Sequence, residues 1–316
     1  VGVVAHRARC GMSETLRAWA LIAVSLFNTV ILLWLGLTLW LHANRRDPGV
    51  LLAGGGFLLG SLFFVSHSAL LLSPSWEITR SNTLWLTAAM LPVLILPYVW
   101  YVVLLRNAGY WSAGRSALLA RHRSGLALLT VILALGFIAL ALLGIPYIPG
   151  VNALTGYIWP LRQLIKIPVF GIPLVALVYP LYVLLCIALS VDTLRSQIAE
   201  AGPRGPGGDA FRRSRSQLIA ASLVLLLVSI LVAVAVVWTI SNTREGEYYV
   251  LRVDDIRIIA AFDFAIALLI GVVAVLLGQA MTRYELFTGK TLPQRGLARY
   301  WAQALALAAG YGVLLG

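Results

Sequence analysis

Residues 16–42 read LRAWALIAVSLFNTVILLWLGLTLWLH, a run in which Arg17 is the sole side chain with a full charge. A helix on the surface of a soluble protein needs a polar face, and this one has none. It is also longer than the roughly 20 residues that a helix needs to cross the hydrocarbon of a bilayer. Hydrocarbon offers the backbone no hydrogen-bond partner, so a crossing segment must close its own bonds, as a helix does.

Seven more runs of this kind follow, at Val50–Ser73, Leu84–Leu105, Gly125–Ile145, Leu164–Ser190, Gln217–Ile240, Ile256–Met281 and Leu297–Gly316. Polar or proline-containing breaks separate them, among them Arg45-Arg46-Asp47-Pro48 and Arg121-His122-Arg123. Across 316 residues, 60% are hydrophobic, 11% are charged and the mean hydropathy is +0.91. This composition belongs to membrane proteins. The alternation of polar and apolar residues that marks a barrel is absent, so the expected fold class is all-α, a polytopic transmembrane helix bundle. Seven spans are well delimited; the eighth stops at Gly316 without a charged or aromatic flank and is expected to be incomplete.

Lys and Arg accumulate in cytoplasmic loops. Roughly 15 of the 24 lie after spans one, three, five and seven, which predicts an N-terminus outside and an inner or plasma membrane location. The expected organisation is an extracytoplasmic tail over 1–15, a seven-helix membrane domain over 16–281, a cytoplasmic loop over 282–296 and the eighth helix over 297–316. A secretory signal is excluded for the first run, which is too long and lacks a small-residue cleavage site. The net charge of +12 sits where anionic headgroups draw it, so the partners expected are membrane lipids and not nucleic acid. Cys10 and Cys186 are too far apart in the sequence to read as a framework or a thiolate metal site.

No Walker loop, zinc-protease pair or nucleophile elbow is present, and no internal repeat stands out. Gly54-Gly55-Gly56 with Gly60 lies inside span two, where small residues let a neighbouring helix approach. No cofactor is called for. The candidate site therefore rests on ionisable side chains inside spans, which are costly there. His67 lies about six residues from the outer end of span two and Asp263 about seven residues into span seven from the same side, at a shared depth of roughly 10 Å. Asn28 enters from the same side, Ser66 and Ser68 flank the histidine, and Lys166 stands near the outer start of span five. An imidazole beside a carboxylate suits ligand or proton sensing; interhelical hydrogen bonding without a sensing role is the structural alternative, and for Lys166 it is snorkelling to the interface. One His and one carboxylate are too few for zinc.

Pro168, Pro173 and Pro180 in span five are hinge candidates, with Pro92 and Pro97 in span three as companions, since each removes a helical bond. Tyr98, Tyr101, Tyr179 and Tyr182 sit in the cytoplasmic halves of these two spans, as an interhelical set or an aromatic belt. The stretch Ala199–Arg215, with Gly-Pro-Arg-Gly-Pro-Gly-Gly, reads as a flexible linker into a basic helix entry.

Leu26-Phe27-Asn28-Thr29, Leu33-Trp34-Leu35-Gly36-Leu37-Thr38, Leu52-Ala53-Gly54-Gly55-Gly56, Phe64-Val65-Ser66-His67-Ser68 and Phe287-Thr288-Gly289-Lys290-Thr291-Leu292-Pro293 together resemble the N-terminal, seven-transmembrane type sensory region of bacterial membrane histidine kinases and GAF-containing signalling proteins. The resemblance implies a sensory input domain for an unknown small ligand, lipid or proton, joined to cytoplasmic signalling modules, with a second copy of the chain as a candidate partner. It supplies no ligand residues, and no phospho-accepting or ATP-binding region lies within these residues. A transporter or channel is the alternative reading.

Overall fold

Runs of this length with no polar face become helices wherever proline permits. A computed structural model describes residues 2–42, 48–72, 80–108, 110, 116–143, 168–169, 172–200, 208–242, 253–284 and 294–315. Among these stand eight helices: α1 (Gly2–His42), α2 (Pro48–Leu71), α3 (Arg80–Asn107), α4 (Ser116–Leu143), α5 (Leu174–Glu200), α6 (Gly208–Asn242), α7 (Val253–Tyr284) and α8 (Gln294–Leu315). The chain is an all-α transmembrane bundle. Six helices contain windows long and apolar enough to cross a membrane, at Ala18–Leu41, Gly49–Leu71, Ala88–Arg106, Ala120–Ile138, Val178–Ser196 and Ile258–Met281; α6 carries a further apolar stretch at Ser216–Val232.

Three boundaries differ from the sequence expectation. The tail before residue 16 continues α1 without a break from Gly2. The basic entry to span six is already helical from Gly208, so the linker is shorter than the composition suggests. Span five does not begin at Leu164: Pro168–Val169 (β1) and Ile172–Pro173 (β2) form a two-residue antiparallel hairpin, with Pro168 opposite Pro173, and the helix starts only at Leu174. Proline lacks the N–H that a helix needs and disfavours helical geometry in the residue before it. Pro168 and Pro173 are therefore not hinges within a helix, and only Pro180 lies inside α5.

The helices pack in a closed circuit. Going round it, α1 meets α2, α2 meets α3, α3 meets α5, α5 meets α6, α6 meets α7, and α7 returns to α1. Outside the circuit, α4 lies against α3 and α5, and α8 lies against α7 and α1. Advancing every helix by four leaves this set of principal neighbours unchanged. Among the described helices the neighbour pattern of α1–α4 thus recurs in α5–α8.

Close approach is built on small residues, as the glycines of span two predict. A methyl group on Gly36 would meet the Leu58 side chain at 2.8 Å and the Gly54 carbonyl oxygen at 3.1 Å, and one on Gly56 would meet Val99 at 3.1 Å. A methyl at Gly278 would collide with the Trp301 ring, which rests in the space it leaves. Trp301 also packs on Trp34, ring centroids 5.4 Å apart, and so seats α8 against α1 and α7. Two buried clusters result. The larger draws on α1, α2, α3, α7 and α8 with Leu194 of α5 and Leu218 and Ala221 of α6, the smaller on α3, α4 and α5 around Tyr101, Leu129 and Tyr182.

Candidate functional site

His67 projects from the last two turns of α2. Side chains on a helix lean toward its N-terminus, onto the residues three and four positions back. Those residues are Phe63, whose ring lies parallel to the imidazole at 5.8 Å, and Phe64, which meets it edge-on. The two rings fix the imidazole plane so that its nitrogens point at neighbouring helices. Nε2 lies 2.8 Å from Oδ2 of Asp263 on α7, and Nδ1 lies 3.0 Å from Oγ of Ser25 on α1. Ser25 is fully buried, while the His67 and Asp263 side chains are 13% and 32% exposed. A single imidazole therefore ties three helices together, with the carboxylate at the accessible end.

Polar groups continue inward along the same face of α1. Thr29 donates to the Ser25 carbonyl at 2.9 Å, and Ser61 of α2 donates to the Thr29 carbonyl at 3.1 Å. Asn28 donates through Nδ2 to the Ala267 carbonyl of α7 at 2.7 Å. Gly271 makes room for it, because a methyl there would stand 2.9 Å from Asn28 Oδ1. That oxygen is buried and accepts no hydrogen bond from the described residues.

Of the residues singled out in the sequence, His67 and Asp263 are thus in contact. Asn28 binds α7 a helical turn away and does not touch the imidazole. Ser66 and Ser68 are buried, but neither hydroxyl has a hydrogen-bond partner among the described residues, and neither joins the chain. Lys166 lies outside the described residues. The partner that matching depth did not pick out is Ser25, three residues before Asn28 on α1.

Serine, histidine and aspartate are also the residues of acyl-transfer enzymes, but the setting differs. Such an enzyme stabilises an oxyanion with free backbone N–H groups, whereas Ser25 sits mid-helix where those groups are committed to the helix itself. Among the described residues no three His, Cys, Asp or Glu side chains come together as a metal site. What the chain can do is hold or release a proton. With a neutral imidazole, Ser25 donates to Nδ1 and Nε2–H donates to Asp263; with an imidazolium, both nitrogens donate and the bond to Asp263 becomes charge-assisted.

A second polar cluster lies at the opposite face, where α4 begins and α5 approaches its end. His122 is fully buried. Its Nδ1 is 3.1 Å from Tyr101 Oη of α3, and its Nε2 is 3.3 Å from Asp192 Oδ2 of α5 without hydrogen-bond alignment. Arg121 donates to Asp192 Oδ1 at 2.6 Å. Sequence reading missed this cluster because Arg121-His122-Arg123 looks like an interhelical break and Asp192 like the residue after a span. The available signal was Asp192, an acidic residue directly after the apolar run of span five on a side where Lys and Arg outnumber Asp and Glu.

The tyrosines have a defined task. Pro97 has no N–H to give the Val93 carbonyl four residues back. Tyr179 reaches that carbonyl at 3.5 Å, and Tyr182 donates to the neighbouring Leu94 O at 2.8 Å. The proline irregularity in α3 is thereby covered by α5, and Tyr98 and Tyr101 turn instead to Thr130 and His122 of α4. The set is interhelical and not only an aromatic belt.

No family model, curated protein or solved structure matches this chain.

Proposed function

We propose that this chain is a membrane-embedded sensory input module whose state responds to proton occupancy at the His67–Asp263 pair, with an extracytoplasmic N-terminus. The observation that supports this reading is the Ser25–His67–Asp263 chain, one titratable ring joining α1, α2 and α7, with Asp263 accessible. A proton-dependent contact between helices needs to favour one arrangement by only a few kcal/mol to shift populations. The resemblance to sensory regions of histidine kinases is consistent with it, and no catalytic group is required. Histidine kinase output and two-component signalling are what that resemblance implies for the function.

The test is a spin-label distance between the His67 ends of α2 and α7, measured on the chain in nanodiscs from pH 5 to pH 8. Acid is expected to narrow and shorten the distribution as the imidazolium strengthens the tie. His67→Gln, which retains a hydrogen-bonding side chain but cannot titrate, is expected to abolish the response. A distribution that is the same at every pH in the wild type sinks the proposal.

One observation favours the alternative, a transporter: the same neighbours recur after four described helices, with polar groups between α7 and α1, and halves related by an axis along the membrane normal occur in secondary transporters. Proton flux through liposomes that disappears in Asp263→Asn would support that reading.

A further inference from the structure

The lipid-facing side of α5 and α6 carries an open groove of about 510 Å³ lined by Leu184, Ile187, Ala188, Val191 and Leu226, with Asp192 and Arg195 at one end. We infer that this groove binds one anionic phospholipid of the leaflet opposite the His67 site, its acyl chain on the apolar wall and its phosphate at Arg195. Three observations lead there.

The first is position. Arg195 stands next to the end of the apolar window Val178–Ser196, at the boundary where phosphates lie. The second is length. From Leu184 to Arg195 the wall rises about 16 Å at 1.5 Å per residue, close to half of the roughly 30 Å hydrocarbon core. A groove that opens sideways into hydrocarbon and is one leaflet tall has an acyl chain as its natural occupant. The third is charge. Arg121 engages Oδ1 of Asp192 at 2.6 Å and so offsets the charge of the carboxylate. Arg195 is exposed and makes no ion pair among the described residues. Among the described residues the groove therefore ends in a guanidinium without an acidic partner, a group with parallel donors for phosphate oxygens.

The site is independent of proton sensing, but it is coupled to the second cluster, because Asp192 belongs to both. A bound phosphate at Arg195 would sit one helical turn from the carboxylate that holds Arg121 and faces the buried His122.

The experiment is native mass spectrometry of the chain released from bilayers of phosphatidylglycerol and phosphatidylcholine in equal amounts with identical acyl chains. The wild type is expected to retain phosphatidylglycerol in preference by about five-fold, the worth of one interfacial basic residue. Arg195→Lys should keep the preference and Arg195→Gln should bring it to parity. Ala188→Trp, which fills the groove, should expel both lipids. Equal retention of the two lipids by the wild type overturns the inference. So does an unchanged preference in Arg195→Gln, an exposed substitution that leaves packing alone. Undiminished retention in a folded Ala188→Trp protein does so as well.

Discussion

Removing the Asp263 carboxylate from His67 is the perturbation that tests the three-helix tie most directly. A hydrogen bond to a charged group contributes about 1.5–3 kcal/mol in water-soluble proteins. Between transmembrane helices the measured average is nearer ~0.6 kcal/mol, with a maximum of about 1.7, because the separated helices find other partners. Asp263 is about one-third exposed, which screens the pair, while the 2.8 Å contact and the Phe63 stack hold its geometry. A coupling of about 1 kcal/mol between positions 67 and 263 is the expected result, equivalent to roughly a five-fold change in population. It is read from a double-mutant cycle of wild type, His67→Gln, Asp263→Asn and the double variant, by reversible unfolding in mixed detergent micelles. A coupling below ~0.3 kcal/mol, within the usual additivity of independent sites, would refute the reasoning and leave the pair as a contact without energetic weight.

Gly271→Ala places a methyl 2.9 Å from Asn28 Oδ1, and a loss of about 1–3 kcal/mol is expected from overpacking; Asn28→Ala in the same background should recover part of it in a thermal melt. Tyr182→Phe strips the side-chain donor from Leu94 O and should lower stability by about 0.6–1.7 kcal/mol in a thermal melt; an unchanged melt would contradict the anchoring of α3 by α5. Asp192→Asn removes the charge that Arg121 engages at 2.6 Å, yet Arg121 is largely exposed, so a change of at most about 1 kcal/mol is expected. A much larger loss would mean that the carboxylate acts chiefly on buried His122.

The fold was legible because hydrophobic length depends on composition alone, and no packing detail is needed to read it. Depth along a helix was legible too, which is why His67 and Asp263 could be paired across 196 positions. What depth leaves open is azimuth. Asn28 and Ser25 differ by three residues on one face of α1, and only the packing of α1 on α2 and α7 decides which one meets the imidazole. Pro168 and Pro173 misled for the opposite reason: an apolar run suggests a span, but the loss of two backbone donors within six residues outweighs it and delays the helix to Leu174. The His122 cluster eluded a reading that treats charges as boundaries, because its members are boundary residues that turn inward.

The return of the same neighbours after four helices has a consequence for how this chain can be assembled. Each half ends where the other begins, and each offers the surfaces that the other needs: α3 for α5, α7 for α1. Two such halves on separate polypeptides would possess every contact required to find one another, as the protomers of a two-fold dimer do. In a single chain the two junctions need not match, and here they do not. One junction holds an imidazole and a carboxylate, and the other holds tyrosines over a proline. A symmetric pair would have been bound to change both at once.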